Sequence, residues 1–170
     1  MKTKANFSTL FFTLLLVIGI HFTSKAQELR LGVHGALPVG DAADVSSFNA
    51  GVEASLYFIK INDNLDIGAS TGYTRFFGKD DTVNGIDVSY DDFAYIPISA
   101  SARGHYDNGF LYVADVGYGV GLNDVDGGLL YQAKLGWTFS NIDTFLFYRG
   151  ITADEIDNTS LGLGLTFKVL

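Results

Sequence analysis

The chain has 170 residues and no cysteine, so neither disulfides nor thiolate metal sites hold it together. It carries 11 Lys and Arg against 19 Asp and Glu, a net charge of −8, which excludes nucleic acid as a partner because phosphate contacts require clustered Lys and Arg. Fourteen Phe, nine Tyr and twenty Gly, with few helical signals, point to an all-β chain.

The first residues read as an address. Lys2 and Lys4 give a positive start, Leu10 to Ile20 is an apolar run broken by one Thr, and Ser24 and Ala26 place small residues at −3 and −1 before Gln27. This is the layout of a secretory signal peptide over residues 1–26. Eleven residues rise only ~16 Å as a helix, about half a bilayer core, so a membrane anchor is the weaker reading. Residues 27–170 then form one domain, in which 8 basic residues face 19 acidic ones.

Two-residue alternation predicts eight strands. Leu29 to Leu37 carries Arg30 and His34 on its polar side. Phe48, Ala50, Val52, Ala54, Leu56 and Phe58 oppose Asn49, Gly51, Glu53 and Ser55. Leu65, Ile67, Ala69, Thr71 and Tyr73 oppose Asp66, Gly68, Ser70, Gly72 and Thr74. Phe93 to Arg103 sets Ile96, Ile98, Ala100 and Ala102 against Ser99, Ser101 and Arg103, with Pro97 as an irregularity that predicts a bulge. Tyr112 to Val120 has Asp115 on its polar face, and Leu129 to Phe139 has Gln132 and Lys134. Asp143 to Ile151 is aromatic on both faces and its parity stays open. Leu161, Leu163, Leu165, Phe167 and Val169 oppose Ser160, Gly162, Gly164, Thr166 and Lys168.

The links alternate in length. Short ones rich in Asn, Asp and Gly follow the second, fourth and sixth strands, at 61–64, 105–109 and 141–142. Longer, acidic ones follow the first, third, fifth and seventh, at 38–47, 78–92, 123–128 and 152–159. Twelve acids occupy these long links: Asp41, Asp44, Asp80, Asp81, Asp87, Asp91, Asp92, Asp124, Asp126, Asp154, Glu155 and Asp157. Short turns on one side and long loops on the other are the rule of an eight-stranded antiparallel up-and-down transmembrane β-barrel.

The rival is a soluble lipocalin-like ligand-binding barrel with its apolar face inward. Polar faces of Gly, Ser and Thr with about one charge per strand are thin cover against water but fill a narrow lumen well. The charges expected inside form a network of Arg30, Glu53, Asp66, Arg103, Asp115, Lys134 and Lys168. Phe58, Tyr106, Phe110, Tyr112, Trp137, Phe139, Phe145, Phe147 and Phe167 lie beside the short turns, and Phe48, Tyr73, Phe77, Tyr95, Tyr118 and Tyr131 towards the long links, as two interfacial girdles would.

On these residues the chain resembles small outer-membrane β-barrel proteins of the OmpA/OmpX-like class, particularly the short barrels of Bacteroidota. The resemblance implies outer-membrane lipids and the barrel assembly machinery as partners. It departs at the end, where such barrels usually close on an aromatic residue and this one closes on Val169-Leu170, leaving Phe167 to serve. Some relatives of that class act on lipid A through a His, a Ser and an acid. Here His34 has no such partner in its own strand and is expected as an unpaired lumen histidine, and His105 as a turn residue. No catalytic, cofactor or metal site is expected, and Asp124-Val125-Asp126-Gly127 lacks the remaining ligands of a calcium loop. The reading is a non-enzymatic barrel displaying acidic loops, with a possible surface partner at Gly78–Asp92; a lipid A enzyme and a narrow pore are the alternatives.

Overall fold

The computed structural model describes residues 27–83, 86–122, 125–153 and 157–170, and the expected signal segment, Asp124, Asp154 and Glu155 lie outside them. Strands β1 (Glu28–Val39), β2 (Ser46–Asn62), β3 (Leu65–Gly78), β6 (Phe93–His105), β7 (Phe110–Leu122), β8 (Gly128–Phe139), β9 (Ile142–Thr152) and β10 (Asp157–Lys168) form a closed antiparallel barrel in the order β1-β10-β9-β8-β7-β6-β3-β2. Between β3 and β6, strands β4 (Asp80–Val83) and β5 (Ile86–Ser89) pair as a separate two-stranded ribbon. A one-turn helix, α1 (Ala42–Val45), links β1 to β2.

Closure is complete. β1 and β10 pair from Arg30↔Lys168 to Val39↔Thr159, and below that register Val169 N–H donates to the Leu29 carbonyl at 2.8 Å. The closed order leaves no free edge strand in the barrel, so the strands pair with one another around the wall. The short turns carry the residues their geometry requires. Ser140 and Gly109 take positive φ (58° and 85°), while Asn62 Oδ1 and Asn108 Oδ1 accept the N–H of Asn64 and Phe110.

Alternation assigns the faces. Leu31, Val33, Leu37, Val52, Ile98, Val116, Leu135, Leu146 and Leu163 are exposed on the outer wall, whereas Arg30, Glu53, Arg103, Asp115, Lys134 and Arg149 are buried. Outward positions at 29–37, 48–56, 67–73, 96–102, 112–120, 129–139, 142–148 and 161–167 hold no Asp, Glu, Lys or Arg, and Arg75, of the same parity in β3, lies beyond them at the long-link end. Charge inside and apolar surface outside invert the polarity of a soluble barrel and fit a wall surrounded by hydrocarbon.

Three expectations need correction. Phe145, Phe147 and Tyr95 are not girdle residues; all three are buried in the lumen, because β9 places Asp143, Phe145, Phe147, Arg149 and Ile151 on its inner face and β6 places Tyr95 on the same face as Ser99, Ser101 and Arg103. No bulge forms at Pro97: Thr71↔Ile98 and Thr74↔Tyr95 keep one register on either side of it. The ladder opens between those pairs, and the Thr71 hydroxyl donates to the Pro97 carbonyl at 2.9 Å. The third correction concerns His34, described with the lumen below. Bulges occur instead in β2, including one between Tyr57 and Ile59.

Glycine makes room on both faces. At Gly104 and Gly150, outward on the wall, a Cβ would fall 2.0–2.2 Å from the rings of Tyr112 and Tyr131, their cross-strand partners. The rings lie over bare backbone and cover it.

Candidate functional site

The interior is the place where this sequence collects its chemistry, and it is stacked in three layers. Nearest the short turns, the Arg30 guanidinium pairs with Glu28 through Nε and with Asp143 Oδ2 through Nη1 at 2.8 Å. Arg103 Nη2 reaches the same Asp143 oxygen at 3.2 Å, its Nη1 lies 3.6 Å from Glu28 and 4.0 Å from Asp66, and Lys168 Nζ holds Glu28 Oε2 at 2.7 Å. Thr138 donates its hydroxyl to Asp143 at 2.7 Å. These groups floor a vestibule of about 520 Å³ that opens at the short-turn end, where His105 Nδ1 stands 3.6 Å from Asp66.

In the middle layer Lys134 Nζ donates to Glu53 Oε1 at 2.6 Å and lies 3.7 Å from Asp115 Oδ2. Gln132 bridges onward, donating to Asp115 at 2.7 Å and accepting from Arg149 Nε. Arg149 Nη1 donates to the Thr74 hydroxyl at 2.7 Å and to His34 Nε2 at 3.1 Å. The corrected picture of His34 follows: it is partnered, with Thr74 Oγ1 also 3.1 Å from Nε2 and Glu53 Oε2 3.8 Å from Nδ1. A hydroxyl, an imidazole and a carboxylate in a row resemble a nucleophile with its base and orienting acid. The likeness stops at Arg149, whose guanidinium donates to the nitrogen that a base would need free. Thr74 is moreover fully buried, with no approach for a substrate.

Towards the long links the lumen turns apolar. Phe76, Tyr95, Leu130 and Ile151 are each at most 1 % exposed and pack together, with Phe93 and Val125 against them. Phe76 meets Tyr95 edge-on at 6.1 Å, and the Tyr95 hydroxyl accepts from Asn158 at 2.9 Å. Between the two charged layers the remaining cavity is about 10 Å³, room for one water at most.

Of the residues expected in the lumen, Glu53, Asp115 and Lys134 meet in the middle layer, and Arg30, Asp66, Arg103 and Lys168 meet at the vestibule floor. Sequence reasoning placed Gln132 on the polar face of its strand but missed Glu28, Asp143 and Arg149. With them the Lys, Arg, Asp and Glu side chains of the lumen, among the described residues, are five basic and five acidic: Arg30, Arg103, Lys134, Arg149 and Lys168 against Glu28, Glu53, Asp66, Asp115 and Asp143. Balanced, hydrogen-bonded charge is what a low-dielectric interior tolerates.

At the other end Asp92 ties down the ribbon. Its Oδ1 accepts the Gly78 N–H at 2.8 Å and its Oδ2 takes Arg75 Nη2 at 2.7 Å. The Gly78 N–H first, and Arg75 second, hold the exposed Asp92 carboxyl below its usual range. Among the described residues no group of three or more His, Asp or Glu is placed to hold a metal ion.

No protein-family model and no curated protein sequence matches the chain. Solved structures do. The crystal structure of Ail, the attachment invasion locus protein of Yersinia pestis, is 14 % identical over 85 % of this chain and 99 % of that one, with a TM-score of 0.59. Ail has also been solved with the heparin analogue sucrose octasulfate, at 15 % identity, 84 % and 97 % coverage and a TM-score of 0.57. A de novo designed transmembrane β-barrel covers 86 % and 98 % at 10 % identity and a TM-score of 0.52. At these identities the likeness is one of architecture: the chain has the closed, eight-stranded antiparallel fold of small outer-membrane barrel proteins such as Ail.

Proposed function

We propose that this chain is exported by its first 26 residues, folds into the outer membrane through the barrel assembly machinery, and acts there as a non-enzymatic barrel that displays acidic loops. The observation that carries this reading is the inverted polarity: an uncharged, apolar outer wall around a lumen that is charged, paired and filled. A lumen with room for about one water between its charge layers, capped by Phe76, Tyr95, Leu130 and Ile151, argues against a pore. The barrel is thus a rigid support, and activity falls to what it holds outside, in envelope integrity or adhesion.

The β4–β5 ribbon is the display element. It continues the wall beyond β3 and β6, is fixed at its base by Asp92, and as a two-stranded ribbon it presents backbone that an extended partner strand can pair with. Asp80, Asp87, Asp91 and Asp92 surround it and are exposed. A sulfated polyanion of the kind seen with Ail is therefore the wrong partner for this surface; a basic protein segment fits its charge.

A peptide tag inserted after Asp87 is expected to be reached by antibody on intact cells, and one at Asn62 is not. Deleting Thr82 to Ser89 should leave heat-modifiable folding intact and abolish adhesion. Labelling at Asn62 alone would invert the topology, and adhesion unchanged by the deletion would remove the display role.

A further inference from the structure

Outward-facing glycines on the wall are few, and two of them, Gly104 and Gly150, are roofed by tyrosine rings. Gly35 is different. It faces outward between Val33 and Leu37, it is exposed, and a Cβ built on it would meet nothing nearer than the Asn49 carbonyl oxygen at 4.0 Å. Its φ is not positive, so the backbone does not require glycine there. No neighbour excludes a side chain, and glycine inside a strand is less stable than alanine. A bare glycine under such conditions marks a place where something else comes close to the backbone.

The surroundings say what that is. Gly35 pairs with Leu163 on one side and Ala50 on the other, and Val33, Leu163, Leu165 and Thr144 wall a groove of about 410 Å³ on the outside of the β1–β10–β9 seam. The groove lies within the uncharged belt, and its one side-chain hydroxyl, on Thr144, is turned to the Trp137 carbonyl. Nothing in it would recognise a headgroup. The residues at its rim stand out from the wall, with Leu163 68 % and Val33 51 % exposed. A groove of this volume with no charged lining, inside a wall that faces hydrocarbon, is filled by one hydrocarbon chain. Empty, the lining would forfeit its dispersion contacts.

We propose that the Gly35 groove is a binding site for one acyl chain of a bilayer lipid, held longer than the chains around the rest of the wall. The site rests on the membrane-embedded reading given above; across the barrel Ala69, Ala100, Ala102, Ala114 and Ala133 face outward, so a side chain already stands at each of those positions.

The test is reconstitution of the full barrel in phosphatidylcholine vesicles containing spin-labelled phosphatidylcholine, with the motionally restricted lipid counted per barrel by electron spin resonance. Gly35→Leu, which fills the groove, should lose one restricted lipid relative to the parent, and Ala114→Leu on the opposite side should lose none. Gly35→Ala, the milder filling, serves if the leucine variant fails the heat-modifiability test of folding, and should weaken retention at least twofold. Equal counts in folded parent and Gly35 variants would overturn the site. So would energy transfer between labelled barrels that disappears in Gly35→Leu, since a second copy would then be the occupant. Failure of the parent itself to enter the vesicles would overturn the membrane reading, and the groove with it.

Discussion

Lys134 shows how much of the interior rests on single side chains. Its ammonium is the near partner of both Glu53 and Asp115, so Lys134→Leu leaves two carboxylates facing each other inside the barrel. Breaking a buried pair in this way costs roughly 3–5 kcal/mol, and we expect a loss of that order in urea unfolding from lipid vesicles. Adding Glu53→Gln should recover part of it, and a double variant no better than the single would break the proposed coupling. Asp92 makes a second, separable prediction. Because its folded carboxyl titrates below the ordinary value, its clamp on Gly78 and Arg75 is fully present above the ordinary carboxylate pKa near 4 and is lost only as pH falls through the lower, folded value. The ribbon should therefore keep its protease resistance at pH 4 and lose it on further acidification, while Asp92→Asn should lose that resistance at neutral pH. Loss in the parent already well above pH 4 would contradict the assignment.

Strand by strand, legibility followed the contrast between faces. β1, β2, β3, β7, β8 and β10 alternate Gly, Ser or charge with apolar residues, and their inner and outer sets could be read directly. β9 could not be, because Phe145 and Phe147 lie inside while Leu146 and Tyr148 lie outside, and hydropathy does not separate them. Charge does: Asp143 and Arg149 share a parity, and a charge cannot cheaply face lipid, so that parity had to be the inner one. Applied to β9, the rule would also have found the Arg149 that occupies His34. Pro97 failed for another reason, since a missing N–H can be absorbed by opening the ladder without inserting a residue, and sequence does not distinguish the two. The tyrosine roofs over glycine were likewise invisible without register. They predict that Gly150→Val, which drives a branched side chain into the Tyr131 ring, slows folding and lowers thermal stability on heat-modifiability gels. Gly150→Val with Tyr131→Ala should recover folding, and if it does no better than Gly150→Val alone the ring is not the obstacle.

For the whole molecule, the alternation of short and long links carried the topology, and the acids in the long links carried the display reading. The β4–β5 ribbon was legible too, because Val83, Ile86, Val88 and Tyr90 alternate loosely between the third and fourth strands and so read as a hairpin beyond the wall, whereas the one-turn helix at Ala42–Val45 was hidden. The lumen was legible as charged but not as layered: its apolar cap comes from Phe76, Tyr95, Leu130 and Ile151 on four different strands, which only closure brings together. All of it depends on one claim, that the exposed apolar wall faces hydrocarbon. The chain's single tryptophan, Trp137, sits half-exposed on that wall near the short turns, so the protein carries its own probe. Its fluorescence after refolding of residues 27–170 into vesicles should be quenched by lipids brominated on their acyl chains and be insensitive to aqueous iodide. Quenching by iodide with no response to brominated lipid would show a wall facing water, and the soluble, apolar-core barrel would stand in its place.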